Sequence, residues 1–168
     1  MQRNVSRETN KNMVLAAVLT ALTVAISRVF LIPVPMTHGN INLCDAGIFL
    51  AAFMLGSRYG GFVGAASGFL LDLISGYGQY MVFSFIVHGL EGLIAGKIAG
   101  VNEIKGTSKV IAMVVGVIIM VAGYFVTDSL LYNVGAGVAG LLTNTIQGIV
   151  GAVVAWVVFE VMGKRLSN

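Results

Sequence analysis

Long runs of Ala, Gly, Leu, Val and Ile, parted by short polar or glycine-rich breaks that hold most of the charges, decide what this chain can fold into. About 20 consecutive apolar residues cross the hydrocarbon core of a bilayer as a helix. Inside that core every backbone N–H and C=O must be paired within the protein, so helices or closed barrels are the spanning options. A barrel would alternate apolar and polar residues over segments of about 10. These runs are longer and continuous, and they predict helices. Composition agrees: charged residues make up 10% of the chain and mean hydropathy is +0.92, where a soluble domain carries about 25% charged residues.

Six segments emerge, at about 12–32, 45–56, 59–75, 79–99, 108–131 and 137–162. The first stops at Pro33 and Pro35, and a polar loop from Met36 to Cys44 follows. Residues 1–12 are polar and basic, as in a secretory signal, but no small-residue cleavage site follows the apolar run, which predicts a retained helix. The second and third segments form two helices rather than one, because Arg58 would otherwise lie deep in lipid at about 2.5–3.5 kcal/mol. The expectation is an all-α integral membrane protein, a six-transmembrane-helix bundle forming one domain over 1–168.

Orientation follows from the cations. With the N-terminus in the cytoplasm, the inner side holds Arg3, Arg7, Lys11, Arg58, Lys97, Lys105, Lys109, Lys164 and Arg165, and only Arg28 falls outside. Basic residues favour cytoplasmic loops, so both termini are expected inside. The net charge of +3 is thereby a topology signal, with no basic stripe for nucleic acid. The single cysteine, Cys44, excludes an intrachain disulfide and a multi-cysteine metal site.

Small residues recur at spacing four: Ala17, Ala21 and Ala25 in the first segment, Gly60, Gly64 and Gly68 in the third, Gly92, Gly96 and Gly100 in the fourth. Such faces let helix backbones approach closely. For the glycines, internal packing is the leading expectation; docking of a second membrane subunit is the alternative.

Ionisable and amide side chains inside membrane segments are functional candidates by default. Those on the outer side are Asn40, Asn42, Asp45, Asp72, Gln79, His88 (roughly 12–14 Å into the fourth helix), Asp128, Asn144 and Gln147, with His38 in the first loop. Asn144 and Gln147, three apart, share a helix face. Tyr77, Tyr80, Phe83, Tyr124 and Tyr132 lie at the same level and offer flat surfaces. Together they predict an outward pocket for a small, flat, polar ring compound. Asp45 and Asp72 also suit helix caps, tyrosines at helix ends suit the interfacial belt, Glu91 suits a structural pair, and Arg28 suits snorkelling to headgroups.

No phosphate-binding G-x-x-x-x-G-K-[ST] loop, H-E-x-x-H or G-x-S-x-G is present. The two histidines lie far apart, and no metal and no cofactor are expected. Two other classes stand as alternatives. A free-standing channel or pore subunit would need polar lining through the inner half, where little stands beyond Glu91; an intramembrane enzyme would need Asp72 and Asp128 as a carboxylate pair.

The stretch Ile41–Gly60 (INLCDAGIFLAAFMLGSRYG), then Leu71–Gly76 (LDLISG), His88–Gly96 (HGLEGLIAG), Gly123–Phe125 (GYF) and Asn144–Gly148 (NTIQG) resemble the S component of energy-coupling factor (ECF) vitamin transporters. The resemblance covers nearly the whole chain and is closest to the riboflavin-transporter-like branch that includes hydroxymethylpyrimidine and vitamin B6 carriers. One departure is Cys44, where the pattern has glycine. The resemblance implies a non-enzymatic, substrate-specific subunit of a multi-pass importer in a prokaryotic cell membrane. It would capture a small ring vitamin or precursor, with pyridoxine or hydroxymethylpyrimidine favoured and riboflavin the alternative. It implies hydrogen bonds to the ring from His88, Asp128, Asn144 and Gln147, stacking by Tyr80 and Phe83, and contributions from Asn42 and Asp45. Partners would be a transmembrane scaffold subunit, docking on Ala17, Ala21 and Ala25, and two cytoplasmic ATPases that supply ATP hydrolysis. The subunit would topple in the membrane to deliver its load, with Pro33 to Leu43 as a lid.

Overall fold

The computed structural model describes residues 2–34, 40–101 and 106–166. Six helices form: α1 (Gln2–Val29), α2 (Cys44–Leu55), α3 (Ser57–Ser75), α4 (Met81–Ala99), α5 (Gly106–Leu131) and α6 (Val134–Leu166). Their number and order match the expected segments. α1 begins ten residues before its apolar run, because a helix propagates through polar residues as readily as apolar ones. The first loop is tighter than expected: β1 (Ile32–Pro33) and β2 (Asn40–Ile41) form a small antiparallel ribbon with Ile32 opposite Ile41. His38 and the middle of the expected lid, together with Lys105, fall outside the described residues.

Four helical stretches are long and apolar enough to cross a membrane: Glu8–Val29, Met81–Ala99, Gly106–Leu131 and Val134–Gly163. Their outward faces carry exposed Val14, Leu22, Phe85, Val114, Ile118 and Val153, a surface suited to lipid. α2 and α3 differ for a physical reason. α2 has 12 residues, about 18 Å of helix, and is enclosed by α1, α3, α4 and α6. Phe49, Phe53, Ile48 and Ala52 on it are buried. α3 dilutes its apolar residues with glycine and serine.

A single residue separates these two helices. Gly56 has φ 80°, the left-handed side that glycine adopts without strain, and it reverses the chain. Arg58 is therefore in the first turn of α3 and exposed, outside the bundle as its charge requires. α3 then runs antiparallel to α4 with backbones touching. A Cβ on Gly60 would lie 2.7 Å from the Gly92 carbonyl oxygen, and one on Gly68 would lie 2.8 Å from that of Ser84. The glycine faces of these two helices pack on each other.

One end of the bundle gathers the start of α1, the α2–α3 turn, the end of α4 and the start of α5: the Tyr59 hydroxyl donates to the Thr9 carbonyl, and Gly96 abuts Ser57. There Lys109, buried in α5, pairs with Glu160 and lies 4.6 Å from the Trp156 ring centre. A buried ammonium is tolerable in this way, held by a carboxylate and an aromatic face. Between this end and the middle, Phe49, Phe53, Ala95, Met113 and Ala152 form a continuous apolar cluster. Polar groups collect at the opposite end.

Candidate functional site

At that opposite end five parts of the chain converge on one cavity. The ribbon and the start of α2 supply Asn40 and Asn42; the end of α3 supplies Asp72 and Tyr77; the turn before α4 supplies Tyr80. α5 contributes Tyr124 and Asp128, and α6 contributes Asn144 and Gln147. All nine of these side chains carry a polar atom. The space they enclose is about 40 Å³, room for a few waters at about 10–15 Å³ of such volume each.

Local structure explains how each wall is held. Gly76, with φ 83°, ends α3 and turns the chain back across the mouth. The tyrosines gather about Tyr80, whose ring centre lies 6.4 Å from Tyr77, 6.4 Å from Tyr124 and 6.3 Å from Tyr132. The Tyr80 hydroxyl donates to Asp128 Oδ1 at 2.7 Å, joining the α4 turn to α5. Gly140 in α6 leaves room for the Asp128 and Asn144 side chains: a Cβ there would stand 2.8 Å from Asp128 Oδ2 and 3.3 Å from Asn144 Nδ2.

Gln147 is the hub. Its Oε1 accepts from the Asn42 backbone N–H at 2.9 Å, and its Nε2 donates to Asp45 Oδ2 at 2.8 Å. One buried amide thus ties α6 to both the loop and the start of α2. Asn42 in turn accepts from the Cys44 N–H at 2.8 Å and donates to Asn40 Oδ1 at 2.9 Å. The N-cap position of α2 is Leu43, without a side-chain cap, so Asp45, already inside the helix, does not cap it, and Asn42 satisfies the first helical N–H from just outside.

Of the side chains predicted to meet a ring, Asn42, Tyr80, Asp128, Asn144 and Gln147 line the cavity. His88, Asp45 and Phe83 do not. His88 lies behind Tyr124, whose hydroxyl is 3.0 Å from its Nε2, while its Nδ1 is 2.8 Å from Glu91 Oε2. Both ring nitrogens are occupied within the protein. Asp45 is fully buried beneath Gln147, and Phe83 is half-buried away from the opening. Helical depth alone cannot tell a side chain that reaches the cavity from one screened by a neighbour. Asn40, Asp72, Tyr77 and Tyr124 were recognisable as outer-side groups, but no spacing marked them as walls. Ala17, Ala21 and Ala25 are exposed on α1, opposite its buried Ala16, Thr20 and Thr23. Cys44 is buried against Ile48 and Leu71.

The profile of a family described as "ECF-type riboflavin transporter, S component" matches residues 7–164. The thiamine precursor transporter HmpT of Lactococcus lactis subsp. cremoris (strain MG1363) is 40% identical over 146 residues, 86% of this chain and 83% of that protein. A Pyrococcus woesei protein, described as an uncharacterized protein in the gap 3′ region, is 32% identical over 140 residues, 81% of this chain and 90% of its own.

Proposed function

This chain belongs to the family of ECF-type riboflavin transporter S components, and from that premise we propose that it captures hydroxymethylpyrimidine, or next to it pyridoxine, in the outer cavity. It is a multi-pass protein of the cell membrane, in a transporter family and not an enzyme family. The observation that carries the substrate class is chemical. Every side chain lining the cavity offers a hydrogen-bonding group, which suits a small ring dense in nitrogen and hydroxyl substituents. Riboflavin's larger tricyclic ring, with its dimethylbenzene edge, would need apolar walls. The similarity to a thiamine precursor transporter supports the same choice.

In this reading Asn144, Gln147, Asp128 and Asn42 bond the ring substituents, and Tyr80 supplies the stacking face. Asp45 and His88 act through Gln147 and Tyr124, and Phe83 supports the aromatic wall from behind. All of residues 1–168 work as one transmembrane unit with six spans and both termini in the cytoplasm; α2 needs no long apolar face because its neighbours enclose it, and α3 turns Phe62, Leu70, Leu73 and Ile74 outward. The exposed Ala17, Ala21 and Ala25 dock a transmembrane scaffold subunit, two cytoplasmic ATPases supply the energy, and the loaded subunit reorients to release its cargo. The apolar cluster of Phe49, Phe53 and Met113 beneath the polar half argues against a free-standing pore.

The test is equilibrium binding of labelled hydroxymethylpyrimidine to the purified chain, with pyridoxine and riboflavin as competitors. Asn144→Ala should weaken binding by about tenfold or more, the size of a lost buried hydrogen bond and its unpaired partner, without changing thermal unfolding. Undiminished affinity would refute the role of Asn144, and displacement by riboflavin ahead of both small rings would refute the substrate class.

A further inference from the structure

Beneath the cavity, Asp45, His88 and Glu91 bring their ligand-capable atoms within 4.8 Å of one another, and all three are buried. Asp45 and Glu91 are both 0% exposed. Asp45 Oδ1 and Glu91 Oε1 receive no hydrogen bond at all. Two unpartnered carboxyl oxygens so close together in a dry bundle call for a proton or a cation to share. We propose that this cluster is a binding site for a divalent transition-metal ion of the Zn²⁺ type, held by Asp45, His88 and Glu91.

The arrangement of the far atoms supports an ion. His88 Nδ1 is 2.8 Å from Glu91 Oε2, a hydrogen bond that an ion would replace, the two atoms opening by about 0.5 Å to become adjacent tetrahedral ligands at about 2.0–2.2 Å each. Its other nitrogen, Nε2, meets the Tyr124 hydroxyl at 3.0 Å, which in turn is 2.7 Å from Ser84 Oγ. Asp45 Oδ2 is held by Gln147 at 2.8 Å. Imidazole and carboxylate ligands are commonly fixed in this way by partners on the atom that does not bind metal. A mixed nitrogen–oxygen donor set without thiolate suits Zn²⁺ and its neighbours. Two carboxylates and a neutral imidazole around a doubly charged ion also sum to zero, the charge that a lipid-embedded core tolerates best.

The sequence argued against a metal because its two histidines lie far apart. The structure needs only one, joined by Glu91 one turn on and by an aspartate from α2 far earlier in the chain. An ion here would pin α2 to α4 and, through Gln147 and Tyr124, set two walls of the cavity.

Untagged wild-type chain, stripped with chelator and free of vitamin, is titrated with Zn²⁺ while bound metal and the thermal unfolding midpoint are followed. The expected result is one Zn²⁺ per chain with a raised midpoint, and at least a tenfold weaker uptake in His88→Ala and Glu91→Gln. A wild-type chain that takes up no Zn²⁺ overturns the proposal, whether or not the variants fold. So does uptake undiminished by His88→Ala, or a protonated-carboxyl infrared band in the Zn²⁺-treated wild type that vanishes in Glu91→Gln, which would assign the gap to a shared proton. No arm uses the vitamin, so failure here leaves the substrate assignment standing, and the reverse.

Discussion

Gln147→Leu is expected to reduce capture of the small ring by one to two orders of magnitude while leaving a folded, membrane-inserted protein. The size of the effect follows from where the amide stands. Gln147 is 3% exposed and serves two partners on other elements, the Asn42 N–H and Asp45 Oδ2. Leucine fills the same volume but leaves a buried N–H without an acceptor and a buried carboxylate oxygen without its donor. Each orphaned group costs about 1–3 kcal/mol, and more for a charged one. The strain falls on the loop carrying Asn40 and Asn42, which forms one wall of the cavity. Binding therefore suffers more than the bundle, whose apolar cluster around Phe49 and Phe53 lies elsewhere. Binding titrations and thermal unfolding of the same preparation separate the two effects. If affinity and midpoint fall together in proportion, the hub role is wrong and Gln147 is a general structural residue.

The largest loss of stability is expected from Gly64→Leu. A Cβ at that position would collide with the backbone carbonyl of His88 on α4, and a carbonyl on a neighbouring helix cannot rotate aside as a side chain can. The helices must separate, which also breaks the contacts of Gly60 with Gly92 and Gly68 with Ser84. Overpacking commonly costs about 1–3 kcal/mol and occasionally more; with backbone on both sides, about 3 kcal/mol or above is expected. For a chain of this size that corresponds to a fall of roughly 6–12 °C in Tm. Gly78→Ala is the matched control, since nothing lies within 4 Å of a Cβ there, and its midpoint should not move. Equal midpoints for the two variants would mean that α3 and α4 are not in backbone contact.

Much of this arrangement is legible in the residues, and the reasons differ by level. Four of the six helices can be read because lipid imposes one rule on them, apolar runs of sufficient length with charges at their ends, and α2 and α3 because Gly56 and Arg58 break the run between them. The Gly60–Gly64–Gly68 face is legible because spacing four puts residues on one side of a helix whatever its surroundings. Asn144 and Gln147 follow by the same logic, and both reach the cavity. His88 shows where such reasoning stops. Its depth in α4 is right for a pocket residue, but Tyr124, 36 positions away, stands between it and the opening. Screening of that kind depends on how α4 and α5 rotate against each other, and no periodicity within either helix encodes it. The Asp45–His88–Glu91 cluster is hidden for a similar reason. Asp45 on α2 comes within reach of His88 and Glu91 on α4 only through the packing of the two helices.

The polar cavity accounts for function only if a small ring takes up the hydrogen-bonding groups that line it. The most direct measurement is the identity of the small molecule released when chain purified from its native membrane is denatured, determined by mass spectrometry and counted per chain. A single-ring pyrimidine or pyridine bearing hydroxyl or amino groups, near one per chain, is the predicted result. A flavin in that fraction, or no ring compound even after incubation with hydroxymethylpyrimidine and pyridoxine, would contradict the account.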